Sequence, residues 1–179
     1  SGHIHSVGYE MYCKLLSDAV ARLRDEPVYE LPSASVELGL PAFIPKAYIP
    51  SDRQRMDAYR QVATARTEKD LARIERDFAD LFGPVPKEVN YLLDTAILRL
   101  RASRHGIKSI MVSESDIIFS FEQTDKQQGA TGTEQQVSRL FARAPGFVRI
   151  PDPKTVYVRL EKNYFEPATL TALLRKLLR

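Results

Sequence analysis

The segment Ile74-Glu75-Arg76-Asp77-Phe78-Ala79-Asp80-Leu81-Phe82-Gly83-Pro84-Val85-Pro86 constrains the fold most, because it joins a helical period to a stop the backbone cannot cross. At about 3.6 residues per turn, Leu71, Ile74, Phe78 and Leu81 share one side of a helix, while Asp77 and Asp80 come together on another. Gly83 is the usual residue for a left-handed helix end, and Pro84 and Pro86 have no amide hydrogen with which to continue. The helix needs an apolar partner along one side. Its two carboxylates are left for solvent or for a binding partner.

Similar punctuation marks the neighbouring segments. Ser51-Asp52-Arg53-Gln54 has the capping-box pattern and predicts a helix to about Ala65, with Met56, Tyr59 and Val62 or Ala63 inward. Thr67-Glu68-Lys69-Asp70 is a looser form of the same signal and starts the acidic helix. A third helix, from about Lys87 to Arg104, turns Val89, Leu92, Leu93, Ala96, Ile97 and Leu100 to a core and stops at Gly106. Residues 51–105 thus read as a helical lobe with short turns.

Upstream, residues 7–24 carry Tyr9, Tyr12, Leu16, Val20 and Leu23 at helical steps, residues 27–32 break that helix, and residues 35–40 alternate like a half-buried strand. Pro41, Pro45 and Pro50 predict an extended connector that packs Phe43, Ile44, Tyr48 and Ile49. Downstream of Gly106 the period shortens to two. Residues 107–112 and 117–121 flank a four-residue loop as a hairpin, and 123–133 is expected to be a polar, mobile loop. A short helix over 134–144 follows, through Val137, Leu140 and Phe141. Residues 147–150 and 156–160 flank residues 151–155 as a second hairpin, and Pro167 opens a last helix through Leu170, Leu173, Leu174 and Leu177. The expected class is α+β: an N-terminal helix and strand, a three-helix lobe, then two β-hairpins with packed helices in a lobe over about 107–179.

A chain of 179 residues holds one ordinary domain or two small lobes, and 44% hydrophobic with 27% charged residues is a globular composition. The net charge of +3 arises from 26 basic and 23 acidic residues with no long run of one sign, so it does not by itself select a nucleic-acid partner. Cys13 is the single cysteine, which excludes an internal disulfide and multi-cysteine zinc patterns and suits a reducing compartment. No apolar run approaches the ~18–20 residues that span a bilayer, and residues 1–5 have no signal-peptide layout. Cytoplasm is the expected location.

None of the nucleotide-loop, dinucleotide, zinc-protease or nucleophile-elbow patterns is present, so no catalytic residue, cofactor or metal site is expected. His3 and His5 lack a third ligand nearby, and His105 beside Gly106 reads as a partner for exposed helix-end carbonyls. An acid–base role for Asp77 and Asp80 requires a concave, partly dry site that the polar side of a surface helix does not supply. A structural reading pairs Arg73 with Asp77 and Arg76 with Asp80, each four apart and worth only ~0.3–0.5 kcal/mol. Arg99, Arg101, Arg104 and Lys108 form either a solvated face or a surface for duplex DNA, without interleaved aromatics for base stacking.

Three stretches, in order and spacing, resemble the C-terminal (TRCF) domain of the bacterial transcription-repair coupling factors, the Mfd family. They are Gly8-Tyr9-Glu10-Met11-Tyr12 with Leu15-Leu16, Val36-Glu37-Leu38 through Ile44-Pro45 and Tyr48-Ile49-Pro50, and Asp80-Leu81-Phe82-Gly83-Pro84-Val85-Pro86. Ser1-Gly2-His3-Ile4 fits the tail of the segment that links such a domain to a RecG-like DNA translocase motor. Residues 1–6 are then expected to be a linker remnant and 7–179 the regulatory domain. The resemblance implies a full protein that removes stalled RNA polymerase by ATP-driven translocation on duplex DNA and recruits UvrA, with its ATPase outside this chain. It implies a non-catalytic domain that folds back on the N-terminal UvrA-binding module, masks the UvrA surface and represses the motor. The acidic contacts to arginines of that module fall here on Asp77 and Asp80. Position 77 is usually glutamate in this family, and Leu81 stands where an arginine is common. An accessory duplex-DNA-binding module is the alternative.

Overall fold

The computed structural model describes residues 34–121 and 137–179. The helix expected over 7–24, the break at 27–32, the loop over 123–133 and the residues Cys13, His3 and His5 lie outside the described residues. The chain divides into two compact units, one containing residues 41–97 and the other residues 33–40 and 98–179.

The first unit is helical. Its elements are α1 (Asp52–Thr64), α2 (Glu68–Phe82) and the first part of α3 (Lys87–Arg104). Ser51 caps α1 by accepting the Gln54 amide at 3.4 Å. At the head of α2 the cap is reciprocal. The Thr67 hydroxyl oxygen accepts the Asp70 amide at 3.1 Å, and the Asp70 carboxylate accepts the Thr67 amide at 3.0 Å, a pair worth roughly 0.5–2 kcal/mol over an uncapped start. Hydrogen bonds from Thr67 hold the Asp70 carboxyl below the usual carboxylate range.

Leu71, Ile74 and Phe78 of α2 are buried with Ala58, Val62 and Ala63 of α1 and Val89, Leu92, Leu93 and Ala96 of α3. Each large side chain so buried contributes roughly 1.5–3 kcal/mol. Met56, Tyr59 and Ile97 are half-buried, and the Tyr59 hydroxyl accepts the Ile44 amide at 2.7 Å. Leu81 departs from expectation. It lies at the margin of the stripe, where Phe82, one turn beyond Phe78, takes the inward place, and Leu81 is 73% exposed. The proline-flanked connector is also bent rather than extended throughout. The Pro45 carbonyl accepts the amides of Tyr48 at 3.0 Å and Ile49 at 3.1 Å, and the turn seats Ile44 and Ile49 in the core.

Among the described residues the second unit is a five-stranded sheet with helices on one face. Strands β1 (Ser35–Glu37), β2 (Ile107–Ser113), β3 (Asp116–Phe121), β4 (Phe147–Asp152) and β5 (Thr155–Arg159) are ordered β1-β2-β3-β5-β4. β1 pairs with β2 in parallel, with Val36 opposite Ile110, and the other neighbours are antiparallel. Both hairpins are tighter than expected. Pairing continues to Ser113 opposite Asp116 and to Asp152 opposite Thr155, so each loop has two residues rather than four or five. Glu114 enters the first turn at φ 55°, and the Asp152 carboxylate closes the second by accepting the Lys154 amide at 2.8 Å. The expected pair of hairpins is one sheet, joined where β3 meets β5.

Alternation buries Val36, Ile110, Ile117, Phe119, Val156 and Val158 on the inner face, under Leu98 and Ala102 of α3, Phe141 of a helical segment at 137–141, and Leu170 and Leu174 of α4 (Pro167–Leu177). Phe119 meets Phe141 edge-on with centroids 4.8 Å apart. Among the described residues no helix is long and apolar enough to cross a membrane.

Candidate functional site

The last two turns of α2 hold the acidic pair. Asp77 and Asp80 are exposed, and among the described residues neither carboxylate has an ion-pair or hydrogen-bond partner. The pairs with Arg73 and Arg76 that their spacing allows are not formed. Arg76 donates from Nε back to the Ala72 carbonyl at 3.3 Å, and Arg73 lends its charge to Asp70, helping to hold that carboxyl low. Leu81, one turn beyond Asp77 and adjacent to Asp80, completes a surface of two carboxylates beside one apolar side chain.

These groups stand on a fixed helix end. The Tyr48 hydroxyl, brought in by the bent connector, lies 3.0 Å from the carbonyl oxygens of both Phe78 and Gly83, and its ring meets that of Phe82 at 5.9 Å. Burial pushes the Tyr48 phenol above its usual range, so it remains a neutral donor at physiological pH. Gly83 donates its amide to Ala79 at 3.0 Å and has φ 88° and ψ −167°, a region open to glycine and almost nothing else. α2 ends there without a basic residue in its last turn. Two acids near the negative end of a helix dipole are in an unfavourable place for the helix itself. Their chemistry suits planar cations instead, since a carboxylate takes a guanidinium through two parallel charge-assisted hydrogen bonds.

The basic strip does not form one face. Arg99 is only 7% exposed, Arg101 is half-buried and donates to the Arg175 carbonyl at the end of α4, and Arg104 and Lys108 are exposed. His105 lies where the sequence places it, in the turn that closes α3, with its amide donating to Arg101 and Ala102. Sequence reasoning missed the roles of Leu81 and Tyr48. The first was visible as an apolar position at the margin of a helical stripe; the second depends on contacts 30 and 35 residues away and left no local signal.

The described geometry of α1 to α3 falls within the region matched by the model of the TRCF domain family, residues 38–131. The chain belongs to the TRCF domain family. Among its relatives, the transcription-repair-coupling factor of Escherichia coli (strain K12) is 33% identical over 126 residues, which cover 68% of this chain and 11% of that protein. The factor of Rickettsia typhi is 25% identical over 173 residues, 94% of this chain and 15% of that protein. A solved C-terminal domain of transcription-repair coupling factor has the same α+β fold, with a TM-score of 0.66 and 17% identity over 82% of this chain and 92% of that one. This chain therefore spans little more than a tenth of the length of its curated relatives.

Proposed function

We propose that this TRCF domain is a non-catalytic, autoinhibitory module of a cytoplasmic transcription-coupled repair translocase. In this reading Asp77 and Asp80 grip arginines of the N-terminal UvrA-binding module of the same protein, hide the UvrA surface and restrain the ATP-driven motor. Engagement of RNA polymerase or duplex DNA by the motor releases the grip. The observation that carries the reading is the pair of exposed carboxylates, unpartnered among the described residues, on a helix end pinned by Tyr48. A polar contact of this kind is sustained by tethering, because a partner on the same chain can reach an effective concentration on the order of millimolar, and it still yields to a competitor.

The test is binding of the chain to the separately expressed UvrA-binding module, with and without Asp77→Lys/Asp80→Lys. The double variant is expected to weaken binding at least about tenfold and, in the full protein, to raise UvrA binding and basal ATPase. Equal binding by both proteins removes these residues from the interface. The duplex-DNA reading draws on the second unit, whose described residues hold thirteen Lys and Arg against six Asp and Glu, while residues 41–97 are balanced at nine each. It predicts duplex affinity that falls steeply with salt, and a negligible signal at low salt removes it.

A further inference from the structure

β4 is an edge strand, and its free side has a backbone, an apolar surface and a charge that together describe what would cover it. Among the described residues it pairs only with β5, through Phe147 opposite Arg159, Val148 opposite Val158 and Arg149 opposite Tyr157. The amide and carbonyl of Val148 therefore point away from the sheet, while those of Phe147 and Arg149 face β5, and among the described residues nothing pairs with Val148 on that side. A register shift between Arg149 and Asp152, together with Pro151, closes the second half of the strand to further pairing. One short stretch is left open.

Both ends of that stretch are apolar and wet. Phe147 is 69% exposed and Ile150 is 51% exposed. From Arg139 to Lys162 the chain carries six cations, all exposed, against the carboxylates of Asp152 and Glu161. Asp152 already accepts the Lys154 amide, and among the described residues only Arg159 of these cations has a carboxylate partner, Asp116 at 2.8 Å. The Arg149 guanidinium is laid over the Tyr157 ring, 4.9 Å from its centroid, which holds its charge beside the open edge.

We propose that the β4 edge takes an extended acidic segment of a partner protein as an added strand. Carboxylates of that segment meet Arg143 and Arg149, and its apolar side chains cover Phe147 and Ile150. A peptide fits better than a nucleic acid, because the open amide and carbonyl of Val148 match one residue of an added strand, while Phe147 alone is no series of stacking rings. This surface lies within the second unit and is independent of the Asp77 and Asp80 reading.

The test uses a fluorescein-labelled peptide of repeating Glu-Glu-Val-Val, which places both residue types on each face of a strand, about eight residues long, titrated into the whole chain. Saturable binding is expected with Kd below about 1 mM, with new protection of the Val148 amide from exchange. Arg143→Glu/Arg149→Glu is expected to weaken binding at least about tenfold. Phe147→Ser/Ile150→Ser, which alters only exposed side chains, is expected to do the same with an unchanged melting curve. No saturation by that concentration, equal binding of a Lys-Lys-Val-Val repeat peptide, or binding without new protection at Val148 overturns the proposal. So does a single-stranded DNA that displaces the peptide and binds more tightly.

Discussion

The Tyr48 hydroxyl donates to the Gly83 carbonyl at 3.0 Å, and the Phe78 carbonyl lies at the same distance. One phenol from a proline-flanked turn thus closes the end of the helix that bears the acidic pair. Tyr48→Phe keeps the ring packing and leaves both carbonyls without this donor. It is expected to lower stability by about 0.5–1.5 kcal/mol in urea unfolding and to speed amide exchange around Phe82 and Gly83. Unchanged exchange there rules out the hydroxyl as the pin.

Asp80 lies in the last turn of α2, where the exposed carbonyls of the helix disfavour a carboxylate. Asp80→Lys is expected to stabilise the isolated chain by roughly 0.3–1 kcal/mol while weakening its hold on an arginine-bearing partner. Opposite signs for stability and binding would mark a residue retained for contact rather than for folding. A loss of both would show that Asp80 has a structural partner.

Asp116 and Arg159 face each other across β3 and β5, with Arg159 Nε donating to one carboxylate oxygen at 3.0 Å and a terminal nitrogen donating to the other at 2.8 Å. The hydrogen bonds to Arg159 hold the Asp116 carboxyl below its ordinary range. A folded-state value below the unfolded one means the stabilisation is fully present above the unfolded carboxylate value of about 3.9 and is lost as pH falls through the folded one. Asp116→Asn is therefore expected to be destabilising at pH 7 and to converge with wild type in denaturant unfolding as pH falls through the lowered Asp116 value. A gap independent of pH would assign the effect to packing.

Gly146 introduces β4 at φ 91°, and a Cβ placed on it would sit 2.1 Å from the Arg159 carbonyl oxygen. Gly146→Ala combines backbone strain with a backbone clash and is expected to cost about 2–4 kcal/mol. Gly106 has φ 67° with nothing within 4 Å of its would-be Cβ, so Gly106→Ala carries only the strain, about 1 kcal/mol. Paired melts of the two variants check the difference, and equal losses would discount the clash.

Local chemistry made much of this fold legible. Thr67 with Asp70 marked the start of α2, Gly83 and Gly106 marked two stops, and the two-residue period after Gly106 marked the strands. Non-local pairing was not legible. Nothing near Ser35 says that it runs parallel to Ser109, and nothing in either hairpin says that β5 rather than β4 meets β3. The first hairpin looked longer in the loop because Ser113 and Asp116 are polar, yet they pair, and Arg159 holds Asp116 in the sheet. The wet side of α2 was readable from the spacing of Asp77 and Asp80. Leu81 was not, because periodicity sets the angle of a side chain but leaves open whether an edge position finds a neighbour.

β1 comes before residues 41–97 in the chain and belongs to the unit that comes after them. On the ribosome, Val36 emerges long before Ile110, the residue it pairs with, while the residues that close α1 and α2 on each other arrive sooner. Connectivity thereby imposes a timetable: helices first, sheet afterwards. During that interval a three-residue strand waits unpaired, so a fragment begun at Pro41 would leave the β2 edge permanently open to other chains.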